Sequence, residues 1–194
     1  MEIEVIEAAL TPNKWSRPQI LIKPVRGIVI HYVENPGTSA MFNRNYFEAR
    51  KRGKNGFGSA HFIVDLNGDV VLCVPPNEVA YHCGENKAGG YLYTAFARDT
   101  YGVWPNACTL GIELCHLDVA GRFSDNTIQA AAQLVAELCE LHDLDPVTNV
   151  RLHFDITGKP CPLYWINNPI AFEAFKSAAK HQMLVAECSG ENGG

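Results

Sequence analysis

The run 27-GIVIHYV-33 is rich in β-branched residues and reads as a buried strand. Upstream, the first twenty-five residues carry Pro12, Pro18 and Pro24 and read as an irregular lead-in. Downstream, Ser39 is placed to cap a helix over 39-SAMFNRNYFEARKR-52. Its apolar positions Met41, Phe42, Tyr46, Phe47 and Ala49 share a face, and Arg50, Lys51 and Arg52 suit its C-terminal end before Gly53. The segments 60-AHFIVDL-66 and 69-DVVLCV-74 flank Asn67-Gly68, a strong hairpin signal.

Residues 75–106 lack regular periodicity and read as a long surface loop, with room for one short helix. A strand follows at 108-CTLGIELCH-116. Ser124 then caps a helix over 125–143, with Ile128, Ala131, Ala132, Val135, Leu138, Cys139 and His142 along one face. A short strand, 149-NVRLHF-154, leads into the turn 155-DITGKPCP-162, and a last helix is expected over 169–183 with Pro169 in its first turn. Strands alternating with helices predict an α/β fold with a mixed central sheet flanked by helices. The expected organisation is one domain over 1–183, then a tail or linker over 184–194.

The 194 residues are 47% hydrophobic and 19% charged, enough for a core without disulfide staples. A net charge of −5 argues against nucleic acid as a partner. The start, MEIEVIEAALTPNKW, lacks the basic n-region and apolar run of a signal peptide, and no run approaches the ~20 residues of a membrane span. The expectation is a soluble protein made in the cytoplasm. Seven cysteines, an odd number, then read as reduced thiols.

Three places invite chemistry. His31 leaves the apolar strand toward a possible cleft, with a core histidine as the competing reading. In 153-HFDITGKPCP-162, a Gly-Lys-Pro turn can fold Cys161 back toward His153, and Pro160 and Pro162 stiffen the backbone around the thiol. Imidazole and thiolate are donors that zinc prefers, and His31, His153 and Cys161 would leave its fourth position open for catalysis. His82 and Cys83 are weaker competitors, being on a long loop. Glu113 interrupts an apolar strand and points opposite to Ile112 and Leu114, either into a cleft as a proton acceptor or toward solvent. Lys159, held by the same turn as Cys161, is placed to stabilise an oxyanion unless it is an ordinary surface lysine.

In order, IVIHYV (28–33), SAHFIVDLNGDV (59–70), VAYHCGE (79–85), LGIELCH (110–116) and HFDITGKPCP (153–162) resemble the type-2 N-acetylmuramoyl-L-alanine amidases. That family includes phage endolysins, autolysins and peptidoglycan-recognition proteins. The resemblance spans most of Gly27 to Trp165 and implies that fold. It also implies zinc on His31, His153 and Cys161, catalysis by Glu113 with Lys159, and His61 and His82 lining the cleft against substrate, with packing as the competing reading for His61. Peptidoglycan is the implied partner, with a wall-binding module in a longer chain and holin-mediated release or lysis as the route to the wall. One departure is Ala60, where some branches carry a catalytic Tyr before the histidine, so the Glu-using route fits better. The alternatives are a recycling amidase acting on anhydro-muropeptides and a non-catalytic wall-binding module.

Overall fold

A computed structural model describes residues 4–54 and 56–190. Six strands form one mixed sheet: β1 (Val5–Glu7), β2 (Gly27–Tyr32), β3 (Phe62–Val64), β4 (Val70–Leu72), β5 (Thr109–Leu114) and β6 (Val150–Leu152). Their order is β1-β4-β3-β5-β2-β6. The β3–β4 hairpin turns at Asn67-Gly68 and is antiparallel, while every other pairing is parallel.

Alternation sorts the strand residues into two faces. Ile28, Ile30, Leu110, Ile112, Leu114, Phe62 and Val64 pack against α3 (Asp125–Leu141) and α7 (Pro169–Gly190), joined by Ala131, Val135, Leu138, Phe172 and Phe175. Trp165, from α6 (Leu163–Asn167), sits in the same core with Phe123 and Phe175 at ring distances of 4.8 and 4.6 Å. The opposite face is covered in two parts. Ile63 and Val71 meet Leu10, Ala80 and Ala40 of α1 (Ala40–Ala49); Val29 meets Cys83, Ile156 and residues of α2 (Ala95–Tyr101). No described helix is long and apolar enough to cross a membrane.

The caps foreseen at Ser39 and Ser124 are present. The Ser124 hydroxyl accepts from the Thr127 N–H at 3.0 Å and donates to the Leu66 carbonyl at 2.6 Å, tying α3 to the hairpin. Ser124→Ala should therefore cost about 1 kcal/mol and lower the melting temperature by about 2–4 °C, read by thermal denaturation.

Several elements differ from expectation. The lead-in contains β1, whose three residues are too few and too exposed to show alternation. In α1 the inward residues are Ala40 and Asn43, while Met41, Phe42 and Tyr46 are exposed. This helix is docked largely by polar ties, with Arg44 donating to the Ala8 and Ala9 carbonyls and Glu48 accepting from Thr11. The 75–106 segment contains the one short helix allowed for there, α2, but it is not all surface, since Val79, Ala80 and Cys83 are fully buried. Beyond the end of α3, Asp145-Pro146 starts a short α4 (Pro146–Asn149) that was not expected. Residues read as a turn after His153 instead form α5 (His153–Thr157). Finally, α7 continues past Met183 to Gly190, and the last four residues of the expected tail lie outside the described residues.

Candidate metal centre

Strands β2 and β5 pair in parallel with His31 opposite Glu113. Paired residues in a parallel ladder project to one face, so both side chains leave the sheet away from α3 and α7. The flanking Ile30, Ile112 and Leu114 fill the core instead. His153 begins α5 directly after β6, and the Leu152 N–H donates to Asp155 Oδ2 at 2.9 Å to fix that start. Gly158, at φ 75°, ends the helix in the left-handed conformation that glycine adopts without penalty. The Phe154 N–H then donates to the Cys161 carbonyl at 3.0 Å, which returns Cys161 to the side of His153.

The result is a compact donor cluster. Nδ1 of His31 lies 3.0 Å from Nδ1 of His153 and 3.9 Å from Sγ of Cys161. The three donor atoms all fall within 4.8 Å of one another. The residues are only 2%, 6% and 1% exposed. A groove of about 910 Å³ reaches their immediate neighbours: His82, Glu113 and Lys159 line it, with Phe57, Tyr81 and Trp104. Much of one wall comes from the 75–106 segment.

Burial dominates the electrostatics. It holds the His31 imidazole well below its ordinary pKa, helped by the neighbouring His153 and His82, and it lowers His153 to about 3, with Lys159 adding. The Cys161 thiol is pushed well above its usual value by burial and then by Glu113. A bound dication is what would hold this sulfur as thiolate. Two uncharged imidazoles and a sulfur form a set suited to zinc, so the residues present fit that ion.

Glu113 is pushed up to about 8 by burial, with Lys159 opposing and Glu34 adding. Its Oε2 is buried and has no hydrogen-bond partner among the described residues. Lys159 Nζ lies 2.8 Å from Glu34 Oε1. Burial works against this ammonium, but the Glu34 bond and the charges of Cys161, Glu34 and Glu113 outweigh it and leave its pKa raised. Glu34 was not foreseen. It stands at φ 53°, uncommon for a residue with a side chain, and no sequence pattern marks it as a partner of Lys159.

Two expectations change. His61 is fully buried; its Nδ1 accepts from the Gly111 N–H at 2.9 Å and its Nε2 donates to the Glu78 carbonyl at 2.9 Å. Neither nitrogen is left for substrate, so His61 is a packing residue. His82 does line the groove, but its nitrogens face inward: Nδ1 meets His31 Nε2 at 3.1 Å and Nε2 meets the Thr109 carbonyl at 3.2 Å. It is thus neither a member of the donor trio nor a nitrogen donor to the groove. Cys83 Sγ points to Asn106 Oδ1 at 3.1 Å, outside the trio.

These shifts give a stability profile for the metal-free protein. His31, His61, His82 and His153 have folded pKa values below the ordinary 6.5, so the unfolded chain binds more protons in acid. Their contribution is full above pH 6.5 and is lost as pH falls. Glu113 has the opposite sign between 4.5 and about 8, where the folded state keeps a proton the unfolded chain has released. Urea midpoints should peak near pH 6.5, and Glu113→Gln should remove the decline between there and pH 8.

The family model described as N-acetylmuramoyl-L-alanine amidase matches residues 22–163. The N-acetylmuramoyl-L-alanine amidase BlyA of Bacillus subtilis (strain 168) is 34% identical over 176 residues, covering 88% of this chain and 45% of that protein. A probable N-acetylmuramoyl-L-alanine amidase of Bacillus licheniformis is 35% identical over 176 residues, covering 90% and 46%. The chain thus spans about half the length of the curated relatives it matches. Among solved structures, the PlyG catalytic domain superposes with a TM-score of 0.72 at 21% identity, covering 93% of this chain and 96% of that one. PlyL gives 0.70 at 22% identity, covering 94% and 99%. The sheet and flanking helices match this fold.

Proposed function

Because the chain belongs to the N-acetylmuramoyl-L-alanine amidase family, we propose that it hydrolyses the amide between the lactyl group of N-acetylmuramic acid and L-alanine in peptidoglycan. The observation that carries this reading is the convergence of His31, His153 and Cys161 beside the cross-strand carboxyl of Glu113, at the groove. Zinc held by the three donors would supply Lewis acidity, polarising the carbonyl and making water acidic enough to ionise near neutral pH.

The protein's own groups do the rest. Glu113 takes a proton from the attacking water as its oxygen bonds to the carbonyl carbon. It then delivers that proton to the alanine nitrogen as the C–N bond breaks, leaving a lactyl carboxylate and a free amine. Burial raises the proton affinity of this carboxyl above that of an ordinary carboxylate, which suits a group that must take up a proton and pass it on. The Lys159 ammonium stands near enough to Glu113 and Cys161 to influence both, and it offsets negative charge developing on the carbonyl oxygen. Phe57, Tyr81 and Trp104 give the groove flat apolar surface for the sugar and stem peptide.

With a net charge of −5, long-range attraction to an anionic wall is absent. Our reading therefore includes a wall-binding module in a longer form of the protein, with access to the wall by holin-mediated release or lysis. The test is digestion of purified cell walls by the zinc-loaded protein. New amino-terminal alanine without new reducing ends is the expected outcome. Cleavage of soluble anhydro-muropeptides alone would assign a recycling enzyme instead, and wall binding without amine release a binding module.

A further inference from the structure

We propose that His82 is a positioning residue that fixes which nitrogen of His31 faces the metal, and that Gly111 exists to let it do so. The inference rests on the metal reading above and goes beyond the ligand set.

Hydrogen-bond capacity alone locates the protons. His82 Nε2 stands 3.2 Å from the Thr109 carbonyl oxygen and 3.2 Å from Thr109 Oγ1. The carbonyl can only accept. The hydroxyl spends its single hydrogen on the Pro105 carbonyl at 2.8 Å, so toward His82 it also only accepts. Nε2 of His82 must therefore carry the hydrogen, and in the neutral ring Nδ1 is then a bare acceptor. His31 Nε2, 3.1 Å from that acceptor, must be the donor. The Nδ1 lone pair of His31 is left bare, and Nδ1 is the atom that faces His153 and Cys161. A backbone carbonyl on β5 thus sets the proton position of the first ligand through one intervening ring. Among the described residues His153 has no such support, for its buried Nε2 finds no partner there.

The seat for that ring is built by Gly111. A Cβ at position 111 would lie 2.4 Å from Cγ and 2.7 Å from Nδ1 of His82, distances no packed pair tolerates. Any side chain there would push the imidazole off His31. The Gly111 N–H meanwhile holds His61, whose ring lies edge-on to His82 at 5.8 Å. The glycine and two histidines that the catalytic steps leave unused are thus one support beneath His31.

Orientation of a histidine ligand by a hydrogen bond to its distal nitrogen is typically worth 10–100-fold in metal affinity. The test is zinc affinity by chelator competition at pH 7.5 on wild-type protein, His82→Leu and His82→Asn. Imidazole nitrogen shifts, read by long-range ¹⁵N–¹H correlation on the metal-free protein, accompany it. His82→Leu should bind zinc about 10–100-fold more weakly. His82→Asn should recover most of the loss, since its Oδ1 can take the place of the accepting Nδ1. The His31 ring of the wild-type protein should be protonated on Nε2 alone.

Gly111→Ala, which keeps His82 but displaces it, should weaken zinc binding in the same direction while the metal-free protein still melts cooperatively. A His31 ring protonated on Nδ1, a His82→Leu affinity equal to wild type, or His82→Asn no better than His82→Leu would each overturn the assignment. Failure of the wild-type protein to bind zinc at all would instead overturn the metal reading on which it rests, and this assignment with it.

Discussion

Cys161→Ser should lower zinc affinity by more than about 100-fold, beyond the 10–100-fold typical of a lost outer partner, because a ligand itself is removed. The swap is nearly isosteric, and Cys161 is 1% exposed, so the shape of the site changes little. What changes is the donor. A buried thiol can be ionised by a dication, whereas a serine hydroxyl ionises far less readily and presents a harder oxygen. The two remaining imidazoles, Nδ1 to Nδ1 at 3.0 Å, do not make a site of comparable strength. Metal analysis after exhaustive dialysis checks this, with the melting temperature of the metal-free variant as the control for folding. His153→Ala should act in the same direction. Stoichiometric zinc in either variant would remove that residue from the ligand set.

Glu113→Gln should leave zinc content unchanged while cutting turnover of purified walls by about 10²–10⁴-fold, the usual span for loss of a positioned general base. The amide keeps the size of the side chain but cannot accept the water proton. The position cannot be rescued by its neighbours: His61 and His82 have their nitrogens committed to other partners, and Lys159 is a cation paired with Glu34. The same substitution should stabilise the metal-free protein at pH 8, where folding the wild-type chain requires Glu113 to be protonated or to sit buried as a charge. A variant that is more stable yet inactive is the signature of a carboxyl kept for chemistry. Undiminished turnover would take Glu113 out of the mechanism.

Much of the site was legible because strand periodicity is local. Ile112-Glu113-Leu114 within an apolar run already placed Glu113 on the face away from the core, and Asn67-Gly68 already marked the hairpin. The turn after His153 was legible as a device for returning Cys161, though not as a helix, because five residues are too few for a helical period to show. What sequence could not give was register. That His31 stands opposite Glu113, and that β1 adds to β4, depend on pairings between distant segments that no local pattern encodes. The same limit explains the histidines. The resemblance implied that His61 and His82 line the cleft, but which way their nitrogens face is set by Gly111, Glu78 and Thr109, contributed by other elements. Glu34 was illegible for a further reason: its meeting with Lys159 joins the end of β2 to the turn after α5, over a hundred residues apart.

X-ray absorption at the zinc edge of the loaded wild-type protein addresses the core of the account most directly. We expect one sulfur at about 2.3 Å, two imidazole nitrogens at about 2.0–2.1 Å and one further light atom from solvent. A spectrum without a sulfur shell, or one fitted by four protein ligands with no place for solvent, would contradict it.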